Sequence, residues 1–470
     1  MGLKLKPPKL HPIHWIDNLI GFGHIHGLGL NWRGRAIERV MLFRSILKPQ
    51  LGHPVLWCDD RLGIGHIHEL NLNWKGRAYE RARRLWDLLA QRSRLISLVS
   101  FVINTPAFSA YWIAGKLRRR TTAQSVLQVS ILSHKPHMVS RALRDEGLKS
   151  DCFMFNVDSG KGILNVGWDY AMPAAVSPSR RWLLEHYYLW TVLARYDVIH
   201  SHFKTFLSHS GWELEYLKRL GKVLVFQFRG CDVRHRSLNM KLQPVLNCCQ
   251  ECDYPVGSCD TEYQAQQVGI ATKYGDLFFV TTPDLVDFVK GSEHIPFIHP
   301  VGIDFDALVA VPREPDVFRV VTSSNHHGID GTAFIRAAVD RLRGEGRKIE
   351  LVEVNNMPYK EALAVYKSAD VFVGKLRMGY YNNANIETMM LGVPNMAYIR
   401  DEFRSIAPDC PIIVTRPDTV YDRLNEYIDK RDELKSIGAR GPAFVNAHHA
   451  PGPILRRVIA RYNEALQCKG

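Results

Sequence analysis

From residue 125 onward, unbroken apolar runs alternate with amphipathic stretches. SVLQVSI at 125–131 is an apolar run of strand length, HMVSRALRDEGL at 137–148 spaces its apolar residues as a helix does, and DCFMFNV at 151–157 is again continuous. Strands that are apolar on both faces and separated by helices indicate a parallel, doubly wound sheet. DVIHSHF (197–203), KVLVFQFRGCDVR (222–234) and LFFVTTPDLVDFV (277–289) extend it. A second series follows Pro300: FRVVTSS (318–324), NHHGIDGTAFIRAAVDRL (325–342), KIELVEV (348–354), YKEALAVYKSADVFVG (359–374) and PIIVTR (411–416). PILRRVIARYNEAL at 453–466 closes the chain as an amphipathic helix. The predicted class is α/β.

The first quarter is patterned differently. HPIHWIDNLIGFGHIHGLGLNWRGRAIER at 11–39 realigns at an offset of 42 on HPVLWCDDRLGIGHIHELNLNWKGRAYER at 53–81, with 18 of 29 positions identical. Each copy reads as a Gly-interrupted extended segment followed by a helix, so a tandem duplication is expected, and a homodimer is among the assemblies it allows. The His-x-His pairs (His24, His26, His66, His68) with Asp17 and Asp59 admit three readings: a transition-metal site, a small two-unit core, or a surface for anionic lipid built with Trp32 and Trp74.

Residues 95–115, LISLVSFVINTPAFSAYWIAG, carry no charge and are bracketed by Arg92, Arg94, Lys116 and Arg118 to Arg120. The stretch is long enough to span a bilayer, yet Asn104-Thr105-Pro106 interrupts it. An interfacial or re-entrant helix, a buried inter-domain helix and a true span all stay open, with the basic flanks favouring an anionic membrane surface.

Charge strengthens that picture. Residues 1–120 hold 20 of the 61 Lys and Arg but 7 of the 47 Asp and Glu, so nearly all of the +14 excess lies there. A polyanion-facing module is implied; lacking a nucleic-acid reading motif, it is not expected to bind nucleic acid. Residues 1–12 are basic and Pro-rich with no apolar stretch behind them, so the expected location is cytoplasmic, peripheral on the inner face of the cell membrane. The 470 residues exceed one core.

The most informative stretch is ADVFVGKLRMGYYNNANIETMMLGVPNMAYI, 369–399. A buried strand enters a loop of Gly, Tyr and Asn that opens a short helix carrying Glu387, and Leu391-Gly392-Val393-Pro394 stops it. A helix N-terminus aimed from such a loop is an anion site. The stretch resembles the donor-sugar site of GT-B glycosyltransferases, and DVIHSH and FRGCDVR resemble strand ends facing the inter-domain cleft in family 4 of those enzymes. The resemblance covers about residues 123–470. It implies two Rossmann-like, doubly wound domains facing a cleft, with the small basic module added: 1–94 duplicated module, 95–122 connecting or membrane-contacting segment, 123–300 acceptor domain, 301–446 donor domain, 447–470 crossing helix.

The function implied is retaining transfer of a sugar from a nucleotide-sugar donor to a surface polysaccharide or lipid-linked acceptor, with no cofactor required. Glu387 matches the second Glu of the family's paired-Glu motif and would hold the ribose; Asn382, Asn383 and Ala384 lie where amides meet the diphosphate. His202 matches a cleft histidine, and Arg229 and Asp232 line the same edge, so these three are the catalytic candidates. Two positions depart from the pattern: Gly379 stands where the first Glu is expected, and Asp330 where a Lys is. Lys375, Arg377, His326 and His327 are the candidate replacement cations. The departures leave an alternative, a catalytically degenerate GT-B protein that binds carbohydrate or polyanion.

The nine Cys suggest free thiols or metal ligands rather than a disulfide framework. Cys248, Cys249, Cys252 and Cys259, spaced as CxxC with a further Cys, permit a structural zinc without a catalytic role.

Overall fold

The computed structural model describes residues 94–117, 121–131, 134–155, 167–174, 176–203, 206–254, 258–259 and 261–469. The chain divides into two compact units, Met1–Arg92 and Ser93–Gly470. The duplicated module, with its His-x-His pairs, lies outside the described residues.

Among the described residues, twelve strands form two sheets, each parallel throughout. The first contains β1 (Ser125–Ile131), β2 (Lys149–Phe155), β3 (Tyr170–Met172), β4 (Val198–His202), β5 (Val223–Phe228), β6 (Leu277–Val280) and β7 (Glu293–His294), in the order β3-β2-β1-β4-β5-β6-β7. The second contains β8 (Phe318–Ser323), β9 (Ile349–Val354), β10 (Val371–Val373), β11 (Asn395–Ala397) and β12 (Ile412–Val414), in the order β12-β11-β10-β8-β9. Val126 pairs beside Val198 and Val371 beside Val320.

The unbroken apolar runs follow from burial on both faces. Leu127, Ile199, Leu224 and Phe226 feed one core of the first sheet, while Val126, Val198, Val223 and Val225 feed the opposite one. Successive side chains of a strand point to opposite faces, so each strand must be apolar at every position. In the second sheet Val320, Val371 and Val373 pack on one side and Val321 and Phe372 on the other.

The helix Pro451–Gln467 lies on the first sheet, where Leu455, Val458, Tyr462 and Leu466 join Val126 and Val198. Asn463 Oδ1 accepts the Ala123 amide at 2.8 Å.

The apolar stretch before the first sheet is one continuous helix, Arg94–Leu117, with Pro106 inside it. Asn104 is fully buried, and its side-chain oxygen accepts from Trp190 Nε1 (2.8 Å) and lies 3.0 Å from His186 Nδ1. Asn104-Thr105-Pro106 therefore does not break the element, because Asn104 is a docking group on the first domain. Among the described residues no helix is long and apolar enough to cross a membrane.

Both sheets reverse strand order next to their first strand, between β1 and β4 and between β8 and β10. Parallel sheets bind ligands beyond the carboxyl ends of strands at such switch points. His202 ends β4, Arg229 follows β5 and Lys135 opens the helix His134–Asp145 after β1; in the second domain Asp330 and Lys375 follow β8 and β10.

Candidate functional site

Glu387 sits one turn inside the helix Asn383–Met390. Asn382 caps that helix: its side chain accepts the Asn385 amide, and Asn385 Oδ1 accepts the Asn382 amide, both at 3.1 Å. This reciprocal box uses the amides at the cap and at the third position, leaving those of Asn383 and Ala384 outside it. Gly374, at the end of β10, permits the close approach, because a Cβ there would stand 2.5 Å from the Asn385 side chain.

The Glu387 carboxylate is buried, and its Oε1 accepts from the Tyr359 hydroxyl at 2.9 Å and from Lys135 Nζ at 3.4 Å. Lys135 belongs to the first domain, so this ion pair bridges the two. Burial raises the Glu387 pKa, with Lys135 and Tyr359 pulling the other way, and burial lowers that of Lys135 against the pull of Glu387.

Asp330 departs from the expected cation without leaving a void. Its two oxygens take Lys375 Nζ at 2.7 Å and the Ser324 hydroxyl at 2.8 Å, joining the loops after β8 and β10. Gly379 adopts φ 81°, and a Cβ there would stand 2.7 Å from Arg400 Nε. A glutamate in that position requires a left-handed backbone and displacement of Arg400, which explains the missing carboxylate.

The other replacement cations are already set against acids. Arg377 reaches Glu251 at 2.8 Å and Gln250 Oε1 at 2.7 Å, His326 stands 3.8 Å from Asp253, and His327 3.9 Å from Glu353. Arg377 and His326 thus grip the segment 247–254 of the first domain. The Gly328 amide donates to Asp253 at 3.2 Å.

On the first domain, Arg229 Nη2 lies 3.2 Å from His202 Nδ1, and His202 Nε2 lies 2.7 Å from Gln128 Oε1. A guanidinium only donates, so Nδ1 accepts and Nε2 carries the proton toward Gln128. Burial and the Arg229 charge push the His202 pKa well down, keeping the imidazole neutral. His200 stacks on it at 4.7 Å, and burial lowers the His200 pKa to about 3. Asp232 accepts the amides of Arg229 (3.1 Å) and Gly230 (2.7 Å), shaping the turn that carries Arg229. A partly open recess runs from Lys135, His200 and Arg229 to an apolar wall of Phe297, Ile298, Ile454 and Leu455.

Cys248 and Cys249 are buried with sulfurs 3.9 Å apart, and Asn239 Nδ2 approaches them at 3.7 and 3.2 Å. They pack on Ile329, Cys252 and Met378, so the cysteine-rich segment is part of the seam between the two sheets. Among the described residues, no three His, Cys, Asp or Glu are grouped to hold a metal ion. Cys259 falls in the same stretch, at intermediate burial.

The structure thus brings Lys375 to Asp330 and Arg229 to His202, and leaves Arg377 and His326 in seam contacts and His327 against Glu353 of its own domain. Lys135 and Tyr359 were not singled out in the sequence. A cation at the carboxyl end of the first strand is the signal that marks Lys135; Tyr359 carries none.

No family model matches the chain. Glutamate racemase of Jannaschia sp. (strain CCS1) is 28% identical over 141 residues, 28% of this chain and 48% of that protein. The chain therefore spans about half the length of that curated relative. Among solved structures, sucrose-phosphate synthase from Thermosynechococcus elongatus superposes with a TM-score of 0.50 at 15% identity, covering 73% of this chain and 100% of that one. The catalytic domain of starch synthase IV from Arabidopsis thaliana, bound to ADP and acarbose, gives 0.49 at 11% identity over 73% and 100% of the respective chains. The architecture is the GT-B fold: two doubly wound α/β domains facing one another.

Proposed function

We propose that the chain is a retaining glycosyltransferase that moves a sugar from a nucleotide-sugar donor to a surface polysaccharide or lipid-linked acceptor. The observation that carries this reading is the buried Glu387 carboxylate, one turn behind the amides of Asn383 and Ala384, which the capping box does not use, at a switch point of a GT-B fold. In this reading Glu387 takes the ribose hydroxyls, and the amides of Asn383 and Ala384, with the helix dipole, take the diphosphate as it leaves. Neutral His202, held by Arg229 and Gln128, faces the reacting sugar from the first domain, and Asp232 positions Arg229. The reading requires no metal or cofactor. Incubation with a panel of radiolabelled nucleotide sugars tests it: transfer or donor hydrolysis that Glu387→Ala abolishes is expected. Binding of anionic glycan with no nucleotide binding supports the degenerate, binding-only alternative instead.

The same reading puts the acceptor at an anionic membrane face. Support comes from the outward residues of the Arg94–Leu117 helix, where Phe101, Val102, Trp112 and Ile113 are 59%, 62%, 46% and 55% exposed, together with the basic excess of residues 1–120. Flotation with anionic vesicles, lost on neutral ones and in Trp112→Ser/Ile113→Ser, is the expected result; equal flotation on both would remove the membrane from the account.

A further inference from the structure

The basic side chains of the cleft do not share one kind of partner. Lys375 is neutralised by Asp330, Arg377 by Glu251, and His326 and His327 lie against Asp253 and Glu353. None of these acids is assigned to the nucleotide. Lys135 differs, because its carboxylate partner is Glu387, the group assigned to the ribose. Both side chains are close to fully buried, at 5% and 6% exposure, and Lys135 comes from the domain opposite Glu387. The Arg229 guanidinium lines the same recess as Lys135.

A buried ammonium needs a counter-charge, since an unpaired one is strongly disfavoured. When ribose hydroxyls donate to Glu387, they compete for the carboxylate oxygen that Lys135 now occupies. The nucleotide that displaces the ammonium also brings a diphosphate, an anion able to receive it. Asp330, in place of a cation, leaves the second domain short of charge for that diphosphate. We infer that Lys135 is an exchange latch: it occupies Glu387 in the empty protein and passes to the diphosphate of a nucleoside diphosphate or nucleotide sugar when Glu387 takes the ribose. The latch rests on the glycosyltransferase reading of Glu387. It ties donor binding to the contact between the domains, because the same lysine serves both states.

The test is calorimetry on the full chain with UDP and ADP, each paired with its nucleoside, uridine or adenosine. Wild type is expected to bind at least one of the two diphosphates. Lys135→Met, verified as folded by circular dichroism, is expected to bind that diphosphate at least tenfold more weakly while binding its nucleoside as tightly as wild type or more tightly. Lys135→Arg restores most of the diphosphate affinity. Lys135→Gln, which keeps a donor toward Glu387, carries the same readout should the methionine variant not fold. Unchanged or tighter diphosphate binding without the lysine charge overturns the latch and leaves the donor site intact. Equal loss of nucleoside and diphosphate affinity also overturns it, because that pattern marks a merely structural pair. A wild-type protein that binds neither diphosphate overturns the reading of Glu387 on which the latch rests.

Discussion

Lys375 Nζ lies 2.7 Å from Asp330 Oδ1, across the switch point of the second sheet, so the cation that follows β10 is held by an acid. Asp330→Asn keeps the bond from Ser324 while removing the charge. Under the proposed function this variant binds nucleoside diphosphate about fivefold more tightly, equivalent to ~1 kcal/mol and the scale of one part-exposed charge pair. Calorimetry checks it, and weaker binding by the folded variant would place the phosphates elsewhere.

Gly379 holds φ 81° with Arg400 packed where a Cβ would go. Gly379→Ala should destabilise the fold by ~2 kcal/mol, combining left-handed strain with displacement of Arg400. A urea midpoint indistinguishable from wild type would show that the loop relaxes freely and that the missing glutamate has another cause.

A Cβ on Gly328 would meet the Glu251 carbonyl oxygen at 2.0 Å, so the seam between the loop after β8 and the cysteine-rich segment tolerates glycine only. Gly328→Val is expected to expose Cys248 and Cys249, both buried beside Ile329. Titration with a thiol reagent under native conditions should then count about two more fast-reacting sulfurs than in wild type. An unchanged count would mean that the seam opens elsewhere.

How far the chain announces these features differs by feature. The sheets were legible because burial on both faces leaves unbroken apolar runs such as Val371 to Val373, and the loop before Glu387 was legible because glycine and asparagine cluster where a helix must start. Lys135 was not, since its partner lies 252 residues away and only the facing of two domains joins them. Asn104-Thr105-Pro106 misled for a related reason: what looks like an interruption is a buried amide docked on His186 and Trp190. Gly379 read as a lost carboxylate, and its left-handed backbone together with the packing of Arg400 explains it.

Several histidines are buried or half-buried and held neutral. Burial lowers the pKa of His186, His294 and His449 to about 4 and that of His200 to about 3. A group whose folded pKa is depressed supports the fold above its unfolded value, near 6.5, and loses that support as pH falls toward the folded value. Stability should therefore decline steadily from pH 6.5 to about 4. Denaturant midpoints taken between pH 7.5 and 4.5 check this, and a flat profile would mean that these rings are solvated.

The most direct measurement is donor turnover. Wild type and Glu387→Ala are incubated with a panel of nucleotide sugars and anionic vesicles bearing lipid-linked acceptors, and both transferred sugar and released nucleoside diphosphate are followed. The account predicts turnover of one donor by wild type and a loss of at least a hundredfold in a folded Glu387→Ala. Equal turnover by both proteins would contradict it, as would the absence of any nucleotide binding by wild type.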